Sequence, residues 1–185
     1  MTTTFESKVF GDEWDQFVEL WAPKIYVFLT EALGPFLVQP HPVITAMPEG
    51  AHASGANASY MPGTGDIQLC PSVCRGKPGT ILEKVTHEMV HASLDGFPEG
   101  DPFYEEGAVD YSVWCMAHAP TWEPYGKEMI DAAAFNIKMR RERAQRGLSD
   151  YDRKRWAGGM YFSTFYGPHI VTMLRMRKAE GDLRW

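Results

Sequence analysis

The sequence has no apolar run approaching the roughly 20 residues that span a bilayer, so no membrane segment is expected. It has no long basic run, and its formal net charge is -6, which argues against a nucleic-acid partner. The one basic cluster, Lys138 to Arg143, interleaves cations with Met139 and Glu142, as a solvated helix face does. Cysteine is scarce: Cys70, Cys74 and Cys115 match no structural zinc spacing. A local Cys70–Cys74 disulfide is one possibility, and reduced, partly buried thiols are the expected state. Residues 1–6 lack the basic-then-apolar layout of a secretory leader, so a cytoplasmic protein is expected, with secretion requiring a leader removed before residue 1. Repeats and low-complexity segments are also missing.

What remains suits one compact domain over residues 1–185, with 44% hydrophobic residues to fill a core and 13% aromatics to shape a cavity. Residues 12–33 carry apolar side chains at helical spacing, and Pro23 within them predicts two short helices or one bent one. Residues 36–38 and 43–45 are β candidates, separated by Pro40 and Pro42, with His41 on the surface between them. Residues 56–60 and 67–70, joined through Pro62-Gly63-Thr64-Gly65-Asp66, predict a hairpin. The small residues Ala56, Asn57, Ala58 and Ser59 on its first strand would let a peptide backbone approach an exposed edge and pair with it. An ordinary edge strand with a long turn is the alternative. Polar and apolar helices follow at about 125–146 and 153–178.

Between the hairpin and those helices lies Thr86-His87-Glu88-Met89-Val90-His91, with Thr80 as expected N-cap and Glu83 three residues on. On a helix, His87 and His91 stand one turn apart on one face and can meet one ion. Glu88 sits beside that face. This HExxH arrangement suits Zn²⁺ held by two imidazoles, with the carboxylate as base toward water. A catalytic zinc takes three protein ligands, and Glu106, separated from His91 by fourteen residues, is the candidate third. Glu105 competes with it. Asp110, one turn beyond Glu106, can hydrogen-bond the outer nitrogen of a ligand histidine and fix its tautomer. His118, just before Pro120, is expected to be structural or exposed.

His87-Glu88-x-x-His91 followed by Glu106-Gly107-Ala108-x-Asp110-Tyr111 resembles the gluzincin metallopeptidases, the thermolysin-like and aminopeptidase-like group. The resemblance covers residues 56–114, with a weaker echo in the last helix. It implies an α+β, zincin-like fold: a small N-terminal β-sheet with an edge strand, an active-site helix, and a mainly helical C-terminal half. It further implies zinc on His87, His91 and Glu106, Glu88 as general base, Asp110 orienting a ligand, and substrate backbone along Ala56–Tyr60. Developing negative charge on the substrate would be met by a Tyr or His from the segment after the glutamate helix, among which Tyr161, Tyr166 and His169 stay open.

The sequence departs from the group in two respects. The His91–Glu106 linker is short, and its Gly and Pro content allows the tight turn required. Gly55-Ala56-Asn57-Ala58-Ser59 lacks the acid that binds a substrate amine in the aminopeptidase branch, leaving Glu49 or Glu99 as substitutes. The expected function is zinc-dependent hydrolysis of peptide or amide bonds. The alternatives are a catalytically silent metal- or peptide-binding protein and an amidase for a small biosynthetic substrate. A di-iron bundle needs a second Glu-x-x-His on a helix, and Glu49-x-x-His52 lies in a Pro/Gly/Ala-rich stretch.

Overall fold

The computed structural model describes residues 3–36, 38–48, 57–94, 109–110, 113–114 and 116–147. The chain divides into two compact units, Met1–Gly96 and Phe97–Trp185. Among the described residues no helix is long and apolar enough to cross a membrane.

The first unit is α+β. Strands β1 (Glu6–Lys8), β2 (Val43–Ala46), β3 (Ala58–Met61) and β4 (Asp66–Leu69) form one mixed sheet in the order β1-β2-β4-β3. β1 and β2 pair in parallel, as do β2 and β4, whereas β3 and β4 form the antiparallel hairpin expected from the sequence. β3 is therefore an edge strand. Parallel pairing of β1 with β2 needs a crossover, and helix α1 (Glu13–Leu33) supplies it. The register sets Ile44 opposite Ile67 and Ala46 opposite Leu69, and Ile44, Ile67 and Leu69 are fully buried.

α1 starts at Asp12, whose carboxylate accepts from the Trp14 N–H at 3.1 Å, and it ends where Gly34 turns to φ 88°. It runs unbroken through Pro23. The proline removes one i→i−4 hydrogen bond. Buried residues on both sides of it (Val18, Trp21 and Ala22, then Ile25, Leu29 and Leu33) keep one stripe, and the helix packs on β1 and on α3 (Pro78–Leu94). The expectation of a strand at 36–38 is corrected. Phe36 and Val38 lie outside any strand, and Phe36 is buried by stacking on Tyr26, with centroids 4.6 Å apart. His41 is exposed, as expected. In the hairpin turn, Gly65 has φ +76° and comes so close to Gln39 that a Cβ would lie 2.6 Å from its carbonyl oxygen. Only glycine fits there.

Asp15 ties the N-terminus to α1. Its carboxylate accepts from the Ser7 hydroxyl (2.6 Å) and from the backbone N–H groups of Val9 (2.9 Å), Phe10 (3.1 Å) and Gly11 (2.7 Å). Burial pushes its pKa up, but these four donors outweigh that and hold it below the ordinary aspartate value. A depressed carboxylate stabilises the fold at pH values above its unfolded pKa of about 4 and loses that contribution as pH falls through the folded value. We predict that Asp15→Ala lowers stability by about 1–2 kcal/mol at pH 7, allowing for the carboxylate's partial exposure. In urea unfolding, the gap from wild type should narrow as pH drops below about 4.

A short helix α2 (Pro71–Cys74) joins β4 to α3. Cys70 and Cys74 are free and buried. Burial pushes the Cys74 thiol up to about 12, against the opposing pull of the Lys84 ammonium. A thiol that reluctant to ionise is a poor nucleophile. In the second unit, residues 109–110, 113–114 and 116–117 are helical, a 3₁₀ turn spans Pro120–Trp122, and helix α4 covers Gly126–Gly147. α4 matches the polar helix expected at about 125–146, and Lys138 of its basic cluster is exposed. The helix expected at 153–178 lies outside the described residues.

Candidate metal centre

α3 carries the site. The helix opens at Pro78, two residues before the expected N-cap Thr80, and its first backbone bond runs from the Ile81 N–H to the Lys77 carbonyl at 3.0 Å. Proline at the first helical position has the fixed φ the helix needs and no N–H to leave unpaired. Thr80 is thus inside the first turn, and Glu83 does not reach back as a capping partner. Glu83 is instead fully buried beside Lys84. Every residue from Ile81 to Val90 is buried. The helix packs on α1, α2, β3 and β4, and Ile81, Leu82, Val85, Met89 and Val90 fill the spaces between them.

Against that apolar packing, His87 and Glu88 are each only 4% exposed, and His91 is half-buried at the mouth of the last turn. The two imidazoles converge. Their Nε2 atoms lie 3.2 Å apart, with ring centroids at 5.0 Å and planes inclined by 66°. Two nitrogens at about 2.0–2.1 Å from a tetrahedral zinc stand about 3.3–3.4 Å apart. The pair therefore fits a shared ion with almost no rearrangement. Without an ion, 3.2 Å also fits a hydrogen bond in which one Nε2–H donates to the other ring's bare nitrogen. Either way, the two Nε2 atoms are within reach of each other.

Glu88 makes no hydrogen bond or ion pair among the described residues. A carboxylate next in sequence to a histidine of that pair can take a proton from water or bind a cation.

β3 lies at the edge of the sheet, against α3. Asn57 precedes it, its carbonyl accepting from the Cys70 N–H at 2.9 Å. Ala58 and Ser59 pair with Leu69 and Gln68 on one side and are half-exposed. Of the residues expected to hold substrate, Asn57, Ala58 and Ser59 are thus at the sheet edge, and Ala56 lies outside the described residues.

In the second unit, Asp110 is helical and only 4% exposed. His118 is exposed. Its Nδ1 is 2.7 Å from the Trp114 carbonyl and its ring lies 4.2 Å from Trp114. Glu105, Glu106, Tyr161, Tyr166 and His169 lie outside the described residues, as do Glu49 and Glu99. Among the described residues, no three His, Cys, Asp or Glu side chains come together as a ligand set. The buried Glu83–Lys84 pair was not singled out from the sequence.

Comparison with protein-family models, with curated proteins and with solved structures found no match.

Proposed function

We propose that the protein is a zinc-dependent hydrolase of peptide or amide bonds, of zincin-like fold and gluzincin-like ligand pattern. The observation that carries this reading is the 3.2 Å approach of the His87 and His91 Nε2 atoms on a largely buried helical turn that also carries Glu88, 4% exposed. Glu106 completes the ligand set on sequence spacing alone. Bound zinc supplies Lewis-acid polarisation of a carbonyl and a place where water loses its proton near neutrality.

The chain's own residues do the rest. His87 and His91 offer neutral nitrogens in a preset geometry, so little ordering cost is left to binding. Glu88 takes the proton from the attacking water and returns it to the departing amine, which would otherwise leave as an unstable anion. On the sequence pattern alone, Asp110 would accept the outer N–H of a ligand imidazole and fix its tautomer. Tyr161, Tyr166 or His169 donates to the oxygen that gains negative charge. Asn57, Ala58 and Ser59 present the free edge of β3 to an extended substrate backbone.

Digestion of a peptide library tests the reading: wild type should cleave, and a strong chelator should abolish cleavage until zinc is restored. Absence of cleavage at one bound zinc per chain would point instead to a binding protein or to a small amide substrate. The third ligand has its own test. Glu106→Ala should lose zinc by elemental analysis and Glu105→Ala should keep it, and the reverse would move the ligand by one residue.

A further inference from the structure

Among the described residues, β1 ends the sheet on the side away from β3. An end strand presents a row of unpaired N–H and C=O groups on which another chain can add a strand. Successive residues of a strand turn those groups to opposite sides. The Glu6 N–H donates to the Pro42 carbonyl at 2.8 Å, so Glu6 faces β2, whereas Ser7 and Val9 face outward.

Both outward donors are taken, and by α1. The Ser7 N–H donates to Glu19 Oε1 at 3.0 Å, and the Val9 N–H to Asp15 Oδ1 at 2.9 Å. Asp15 and Glu19 stand one turn apart on the helix, so their carboxylates follow the edge as the acceptors of a paired strand would. Just beyond the strand, the Phe10 carbonyl accepts from Arg75 Nη2 at 2.8 Å. The strand's own side chains offer little defence. Glu6-Ser7-Lys8 carries no proline, and Lys8 Nζ lies 3.2 Å from Glu6 Oε1, so its two charges offset each other.

We propose that Asp15 and Glu19 are an edge guard, which keeps a second copy of the chain from adding its β1 to this one. A second copy is the partner the geometry favours once the guard is gone. Two antiparallel β1 strands present the same row to each other, so Ser7 meets its own counterpart across a two-fold axis. A hydrogen bond to a carboxylate is stronger than the neutral backbone bond that would replace it, so the guarded edge stays closed. The guard belongs to the first unit and is independent of the chemistry proposed for α3.

The test is the sedimentation velocity of the full chain over a concentration series. Glu19→Ala bares the Ser7 N–H and should move the weight-average mass toward twice that of wild type as concentration rises. Glu19→Gln keeps an acceptor oxygen in place and should sediment as wild type does. Ser7→Pro added to Glu19→Ala removes the donor itself, which an edge strand tolerates, and should restore wild-type sedimentation. Aggregation of a damaged fold would instead persist or grow with that second substitution. Should Glu19→Ala not fold, Glu19→Asp, one methylene too short to reach Ser7, carries the same test and should self-associate. Glu19→Ala that sediments as wild type at every concentration overturns the proposal. Association of Glu19→Gln, or association that survives Ser7→Pro, overturns it as well.

Discussion

Glu88→Gln should keep its zinc and lose hydrolysis by about 10²–10⁴-fold, the usual contribution of a positioned general base. Glutamine preserves the volume and one oxygen acceptor but cannot take up a proton at neutral pH. Glu88 is 4% exposed, and glutamine fills the same space. The effect should therefore fall on kcat, with thermal stability near that of wild type. A drop in zinc content as large as the drop in rate would instead make Glu88 a ligand and leave the base unassigned.

The second large effect is on metal binding. His87→Ala should lower zinc affinity well beyond the 10–100-fold typical of outer-sphere changes, since it removes a direct ligand. His91→Ala should do the same. The two differ in what else they cost. His87 is buried within the packed turns of α3, so its loss also opens a cavity, whereas His91 is half-buried and can be trimmed with less damage. Apo-protein melting should therefore fall more for His87→Ala, while zinc-induced stabilisation should vanish in both, because only a ligand that binds the folded state raises its melting temperature. Zinc-dependent stabilisation surviving in His91→Ala would mean the ion sits elsewhere.

Much of what positions the site could be read from residues. The hairpin was legible because Pro62 to Gly65 is a strong turn signal between two short runs, and helix α1 because its apolar stripe recurs at helical spacing on both sides of Pro23. The same stripe explains why the proline did not divide it. β1 was not legible: Glu6-Ser7-Lys8 carries no apolar alternation, and it joins the sheet through backbone pairing with Val43 to Thr45. The parallel order of β1, β2 and β4 was hidden for the same reason, because a strand that cannot be seen cannot be ordered. Thr80 was misread as a cap because Pro78 begins the helix two residues earlier, and Glu83 was misread with it. At the site, the His87–His91 spacing announced a shared point, and the structure adds the distance between the nitrogens. That Glu83 and Lys84 would both be buried is a tertiary outcome, set by what packs on α3 and not by helix spacing.

A bound zinc is the centre of the proposed chemistry. Elemental analysis of the full chain, purified without chelators or added metal, should find about one zinc per chain, as expected for two convergent imidazoles and one carboxylate. Two irons per chain, or no zinc even after incubation with a stoichiometric excess, would contradict it.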